Sequence, residues 1–200
     1  MTYMKNIFAF LLVFLFLVSC DSKNEPILEE EIVDTSFSFV GIEYFVRDDS
    51  RGVISFYIPG VTYSNGGNIE QSFSFTPILG VIEKTSHFRI EDFESFRIVD
   101  AEVFVPVHID ESDSIFLGSR KWTYNLFQQA QISTDSSLVE IIVPANTIST
   151  TTVQLRYKIY RADYKLFLRG DKTGTIKVIE GLWTGLYLDA HQINTTQVDL

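Results

Sequence analysis

Residues 151–168 read TTVQLRYKIYRADYKLFL, and this stretch decides the fold of the chain. Apolar and polar side chains alternate along it, which is the pattern of a β-strand with one buried face. The alternation changes phase halfway along. The apolar positions are odd in the first half and even in the second: Val153, Leu155, Tyr157 and Ile159, then Tyr160, Ala162, Tyr164, Leu166 and Leu168. We therefore predict one long strand with a bulge or tight bend near Arg161.

Apolar residues recur at every second position on both sides of this stretch as well. Downstream of residue 34 they almost never recur at the three-to-four-residue spacing of a helix. Several of the predicted strands exceed the usual length of about five or six residues. We predict an all-β domain with an elongated, twisted sheet; a compact β-sandwich is the alternative. The other segments with a strand pattern are 36–46, 53–58, 71–76, 86–91, 95–109, 115–127, 137–143, 174–180 and 182–190.

The first 20 residues have the layout of an export signal. Lys5 precedes an apolar run at 7–18, and the segment closes with Leu17-Val18-Ser19-Cys20. A run of about a dozen residues is too short to span a bilayer, which takes roughly 20. The ending resembles the lipobox of bacterial lipoproteins, in which the cysteine after the cut is acylated. We expect residues 1–19 to be removed as a signal peptide and Cys20 to carry lipid, with palmitate among its acyl chains. The alternative is a buried N-terminal helix that ends in cysteine.

Two segments follow the expected cut. Residues 20–34 are polar and include the acidic run Glu29-Glu30-Glu31, so we interpret them as a flexible tether. Residues 35–200 form a single all-β domain, in which 35–62 are long enough for a small N-terminal lobe and 63–190 make the main body. We expect an exported, lipid-anchored protein at the outer membrane or cell surface of a Gram-negative bacterium. Asp21, which resembles an inner-membrane retention signal, leaves inner-membrane sorting open.

Composition and motifs argue against several classes of function. The net charge is −10, and removing residues 1–19 with their single lysine gives −11. Lys and Arg contacts to phosphate dominate nucleic-acid affinity, so we expect no nucleic-acid partner. Cys20 is the only cysteine, and no second ligand lies at metal-binding spacing from the histidines at 87, 108 and 191. No nucleophile elbow, phosphate loop or zinc motif is present. We predict no catalytic residue, no metal, no cofactor and no enzyme activity.

The stretch 99–117 carries an unusually regular amphipathic pattern. Its even positions up to 110 are mostly polar, and a polar turn at 110–114 precedes a second apolar run. A membrane-spanning β-strand needs about 9–11 residues with one apolar and one polar face, and 99–109 meet that requirement. The alternative is a half-buried strand of a soluble sandwich, with Pro106 at an edge or bulge. The odd, apolar positions are Val99, Ala101, Val103, Val105, Val107 and Ile109.

A series of short motifs runs in order from Tyr63 to about Leu186. Its members are an Asn-rich turn and Glu-Gln-Ser alternation at 65–76, small and apolar residues around a proline at 101–107, an aromatic–Asn pair at 124–127, an Ile-Val-Pro strand start at 142–147 continuing to 153–155, and Gly-containing strands at 168–170 and 180–185. In order and spacing this series resembles the aerolysin-like β-pore-forming proteins, in particular the epsilon-toxin and mosquitocidal-toxin branch.

That resemblance implies a secreted, elongated sheet protein that oligomerises on a membrane and inserts a tucked hairpin into a shared β-barrel. By position the inserting hairpin would be 99–117, with the odd, apolar positions facing lipid. The segment departs from the family in its acidic polar face, and its return strand, with Arg120 and Lys121, is less regular than the outgoing strand. The predicted function is a pore-forming surface lipoprotein that acts on neighbouring cells.

A second hypothesis has a different kind of partner. A β-sandwich lipoprotein that does not form pores would bind a glycan or a protein on another surface. Its exposed aromatic side chains would stack on sugar rings, and the candidates are Trp122, Tyr124 and Trp183.

Overall fold

The computed structural model describes residues 33–90, 97–98, 101–124 and 128–200, with the backbone alone at 97–98. The described residues form eleven strands, and the predicted all-β class is confirmed. Nowhere in this part of the chain is there a helix long and apolar enough to cross a membrane. The strands are β1 Ser36–Ile58, β2 Thr62–Asn65, β3 Gln71–Phe75, β4 Ile82–Ile90, β5 Arg97–Ile98, β6 Ala101–Ile109, β7 Ile115–Tyr124, β8 Gln129–Ile132, β9 Val139–Val143, β10 Thr147–Gly170 and β11 Ile176–Asp199.

Seven of these strands form one main sheet. Its order is β5–β1–β10–β11–β4–β8, and β2 continues along the edge of β10 beyond the end of β1. The pairs are antiparallel except the short contact of β5 with β1. β10 and β11 have 24 residues each and pair along nearly their whole length. At ~3.3 Å per residue each extends roughly 80 Å, so the prediction of long strands is confirmed.

The phase change predicted in the central strand β10 is present. Ile159 and Tyr160 are consecutive and both buried, so β10 buries odd side chains in its first half and even side chains in its second. The extra residues lie in the neighbouring strands: β1 inserts 47–50 opposite Arg161, and β11 inserts Asp189. The bulge predicted near Arg161 is therefore in β1 rather than in β10. Because successive side chains of a strand point to opposite faces, the two halves of β10 bury opposite faces of the sheet.

Two hydrophobic clusters form on these opposite faces. The first lies beneath the hairpin β6–β7 and joins the even positions of β10 to Phe88 of β4 and Trp183 of β11. The second lies on the other face, under the segment that follows β3. Its fully buried members are Ile78, Val153, Leu155 and Tyr157. The main sheet thus has one face covered at one end and the opposite face covered at the other end, rather than a single continuous core.

β1 belongs to the main sheet along its length. Residues 37–58 pair with β10, with register shifts after Phe39 and after Val46. The shift after Phe39 coincides with the change of apolar phase at Gly41 in the sequence. Residues 35–62, for which the sequence allowed a separate lobe, are therefore part of the main sheet for most of their length.

Asp34, immediately before β1, is bonded to the turn between β10 and β11. The backbone amides of Lys172 and Thr173 donate to Asp34 Oδ1 at 2.9 Å each, and Thr173 Oγ1 donates to Asp34 Oδ2. The Thr173 hydroxyl, followed by the Thr173 amide, holds the pKa of Asp34 below its usual range. The start of the domain is therefore fixed at one end of the long strands.

Gly60 approaches the backbone of β10 so closely that a side chain does not fit there. A Cβ built at Gly60 lies 1.0 Å from the carbonyl oxygen of Thr151, whereas nothing lies within 4 Å of one built at Gly41. We expect Gly60→Ala to lower the free energy of unfolding by at least ~1–3 kcal/mol, the usual cost of overpacking. Gly41→Ala is the matched control and should change it by less than about 0.5 kcal/mol. Urea denaturation measures both; equal effects would contradict the close approach.

Candidate functional site

The stretch with the amphipathic pattern forms a hairpin of its own. Within the described chain, β6 and β7 pair with each other and with no third strand. Asp110 holds the turn between them: its Oδ1 accepts hydrogen bonds from the amides of Ser112 and Ser114 at 2.9 Å and from the Ser112 hydroxyl at 2.7 Å. Asp113 has φ 61°, a left-handed conformation that aspartate tolerates. The hairpin is a preformed unit rather than a part of the main sheet.

One face of β6 is buried against the main sheet and the other is mostly exposed. The buried apolar residues at odd positions, at most 4% exposed, are Ala101, Val103, Val105 and Ile109, and Pro106 at an even position is buried as well. Val107 departs from the predicted pattern because it is 37% exposed. The register between β6 and β7 shifts on both sides of Pro106, and such irregularities re-aim nearby side chains. Val99 lies outside the described residues. A strand buried mainly on one face is the arrangement of a tucked hairpin and not of a central sandwich strand.

The surface beneath the hairpin is made of aromatic side chains. Tyr124 of β7 packs against Phe88 and Tyr164 with ring centroids 5.0 and 6.1 Å apart, and its hydroxyl lies 3.1 Å from that of Tyr164. Trp183 is fully buried and donates its indole N–H to Ser86 Oγ at 2.9 Å. Tyr124 and Trp183, two of the three aromatics considered for stacking on sugars, are therefore core residues, and Trp122 is half-buried against the same cluster.

Three tyrosines of the main sheet make polar contacts to β6. The Tyr44 hydroxyl donates to the carbonyl of Phe104 at 2.8 Å, and the Tyr187 hydroxyl donates to the carbonyl of Pro106 at 2.6 Å. The Tyr160 hydroxyl lies 3.0 Å from His108 Nδ1. Burial raises the pKa of Tyr44 and Tyr187 well above the usual value, so both hydroxyls remain protonated donors.

Sequence reasoning missed these tyrosines. Tyr44 lies 60 residues before its acceptor, and Tyr187 lies 81 residues after its own. The strand pattern places Tyr44 on an apolar face with Ile42 and Val46, but a period of two carries no information about which element covers that face.

The tip of the hairpin is attached by charged contacts beside a cleft. Arg51 of β1 donates to the carbonyl of Asp110 and forms an ion pair with Asp113 at 3.5 Å. A cleft of about 470 Å³ lies between the tip and the sheet, lined among others by His108, Lys158 and Tyr160. The apolar packing of the hairpin thus gives way to polar contacts at its tip.

The structure does not test the predicted lipidation site, and it contains no candidate metal site among the described residues. Cys20 lies outside the described residues. In the part of the chain that the structure describes, no three residues of the metal-binding types come together as a candidate metal site.

Several solved structures align with this chain at low identity. A lamprey immune protein aligns over 84% of this chain and 54% of its own, at 19% identity and a TM-score of 0.44. Parasporin-2, a Bacillus thuringiensis toxin that recognises cancer cells, aligns over 81% of this chain and 74% of its own, at 14% identity and a TM-score of 0.45. An aerolysin-like protein of Bombina maxima aligns over 82% and 99%, at 12% identity and a TM-score of 0.42. The chain spans about half the length of the lamprey protein.

No protein-family model matches the sequence, and no curated protein sequence matches it. One of these three structures is named as aerolysin-like, the class that the order of sequence motifs resembles. Membership of the epsilon-toxin and mosquitocidal-toxin branch stays a prediction.

We expect the stability of the hairpin turn to depend on pH. The Ser112 hydroxyl, followed by the Ser114 amide, stabilises the ionised Asp110 carboxylate and lowers its pKa. Because the folded-state pKa is the lower one, this stabilisation is complete above about pH 4, the unfolded value, and is lost as pH falls through the folded value. We expect the free energy of unfolding of Asp110→Asn, measured by urea denaturation, to fall less steeply between about pH 4 and pH 2 than that of the wild type. Glu111→Gln removes a neighbouring carboxylate and should keep the wild-type slope; identical slopes for all three proteins would contradict this role.

Proposed function

We propose that this protein is a lipid-anchored pore former of the aerolysin-like class, which oligomerises on a membrane and inserts the hairpin β6–β7 into it. The observation that carries the proposal is the hairpin itself: two strands of 9 and 10 residues, stored outside the main sheet with one apolar face buried. About 9–11 residues per strand suffice to cross the hydrocarbon core of a bilayer. In lipid the backbone groups must all be paired, so hairpins from several copies have to close a barrel.

Storage and insertion make use of the same apolar face. In the stored state Val103, Val105 and Ile109 contact the aromatic surface of the main sheet and are at most 2% exposed. In the proposed barrel the same side chains contact lipid, so the apolar face is kept away from water in both states. Release also uncovers the aromatic surface beneath, including Phe88 and Tyr164. An exposed apolar patch of that kind favours association with other copies.

The direction of the hairpin supports action on an apposed membrane. The base of the hairpin lies at Tyr164, where Tyr124 packs, and the tip lies farther along β10, beside Tyr160 and Arg51. Asp34, where the tether joins, is bonded to the turn at the other end of β10. The tip is thus the part of the hairpin farthest along β10 from the end at which Asp34 is bonded. A tether of about a dozen residues, reaching at most ~45 Å, would hold that end near the membrane of the producing cell.

Val107 is the residue with which to test insertion. It is already 37% exposed, so Val107→Asp should leave the stored hairpin folded. In the barrel it would place a charge against lipid in every hairpin, at a cost somewhat below the ~2–4 kcal/mol of Arg or Lys near the midplane. We expect at least a tenfold fall in calcein release from phosphatidylcholine–phosphatidylglycerol vesicles, together with loss of SDS-resistant oligomers.

Two controls separate the lipid-facing role from a general effect of charge. Phe104→Asp alters a side chain that is 39% exposed on the opposite face of β6, and it should lower release much less. Ile142→Asp, outside the hairpin and 53% exposed, should leave release unchanged. Equal losses for Val107→Asp and Phe104→Asp would contradict the assignment of faces. A wild-type protein that stays monomeric and releases nothing from vesicles of varied composition would reject pore formation.

The anchor makes a separate prediction. Cys20→Ser removes the thiol that would be acylated, so the protein should move from the membrane fraction to the soluble fraction or remain uncut. Mass spectrometry of the wild-type protein should find Cys20 as its N-terminal residue with added acyl chains. A wild-type N-terminus at any other residue would contradict the lipoprotein assignment while leaving the hairpin proposal open to its own test.

A further inference from the structure

We propose that Tyr44, Tyr160 and Tyr187 form a latch that sets how readily the hairpin leaves the sheet. The proposal rests on the pore-forming function above, because it describes how the release of that hairpin is regulated. The latch is defined by these three side chains and by the three residues of β6 that they contact.

The three tyrosines come from three adjacent strands of the main sheet. Tyr44 lies on β1, Tyr160 on β10 and Tyr187 on β11. Their partners are three alternate residues of β6, which are Phe104, Pro106 and His108. One row of phenols across the sheet thus follows one strand of the hairpin. Contacts from three strands restrain β6 against both sliding and lifting.

The contacts fall where β6 is least regular. The register with β7 shifts between Phe104 and Pro106 and again between Pro106 and His108, and proline has no N–H to offer a neighbouring strand. The contact to Pro106 is partly buried and the contact to Phe104 lies nearer the surface. A carbonyl that is shielded from water and has no partner is unfavourable, so an interrupted ladder needs donors from elsewhere. The hydroxyls of Tyr44 and Tyr187 supply them at 2.8 and 2.6 Å.

The need of these carbonyls for hydrogen-bond donors also explains why the latch can open on a membrane. The carbonyls of Phe104 and Pro106 have phenol partners only while the hairpin lies on the sheet. In a closed barrel, strand pairing between neighbouring hairpins supplies backbone partners instead. Release of a single hairpin therefore loses these hydrogen bonds, whereas release coupled to assembly replaces them. The latch opposes the first process more than the second.

Tyr157 provides a matched control. Its hydroxyl donates to a backbone carbonyl, that of Ile82, at 2.8 Å, and its side chain is 3% exposed. It belongs to the hydrophobic cluster on the opposite face of the sheet from the hairpin. Tyr157→Phe thus removes a partly buried phenol–carbonyl bond, as Tyr187→Phe does, without touching β6 or β7.

The experiment compares Tyr44→Phe, Tyr187→Phe, the double variant and Tyr157→Phe, each in the full chain. Amide hydrogen exchange is followed at 101–124 and along β10, and calcein release is measured from phosphatidylcholine–phosphatidylglycerol vesicles. We expect exchange at 101–124 to become about tenfold faster for each latch hydroxyl removed, with little change along β10. Release should accelerate in the same order, and Tyr157→Phe should do neither.

Different outcomes separate the latch from the function. Faster exchange at 101–124 without release by any protein, the wild type included, supports the latch and rejects pore formation. Release by the wild type with no greater exchange in Tyr44→Phe and Tyr187→Phe than in Tyr157→Phe overturns the latch and leaves pore formation in place. If the double variant does not fold, the two single variants give the same comparison.

Discussion

The change of buried face within β10 is the constraint on which the rest of the structure depends. Ile159 and Tyr160 are neighbours and both are buried, so the central strand needs a covering layer on one face at one end and on the other face at the other. A single sheet stacked on it could satisfy only one of these. The hairpin β6–β7 supplies one cover, and the segment after β3 supplies the other. The two covers therefore pack against separate parts of the long strands.

Because the two hydrophobic clusters are separate, the proposed release of the hairpin would leave the second cluster intact. The first cluster depends on the hairpin, whereas the second contains no residue of β6 or β7. β10 and β11 meanwhile keep their hydrogen-bonded pairing along nearly 24 residues, independently of either cover. Each buried Val or Ile of the hairpin stabilises the stored state by roughly 1.5–3 kcal/mol. The packing of the hairpin on the sheet is thus strong but local, as its proposed release requires.

The contacts that hold the hairpin divide into two kinds. Apolar contacts at Val103, Val105 and Ile109 are non-directional, and contact with lipid would replace them in the proposed barrel. The tyrosine contacts and the Arg51 contacts at the tip depend on direction and charge, and they are specific to the stored position. The first kind provides most of the stabilisation, and the second kind fixes where the hairpin lies. The acidic turn belongs to the second kind, since Asp110 orders the tip through its ionised carboxylate.

The sequence by itself determined the strand class, the long central strand with its phase change, and the presence of a strand with alternating apolar residues at β6. Each of these follows from side-chain periodicity, which is a local property of the chain. Only the tertiary structure decided which surfaces those faces meet. The bulge opposite Arg161 lies in β1 because a phase change can be accommodated by the partner strand as well as by the strand that shows it. Tyr124 and Trp183 lie in the core rather than on the surface, and Tyr44 and Tyr187 reach the hairpin from distant strands. These outcomes depend on contacts between residues far apart in the chain, which no alternation of apolar and polar residues specifies.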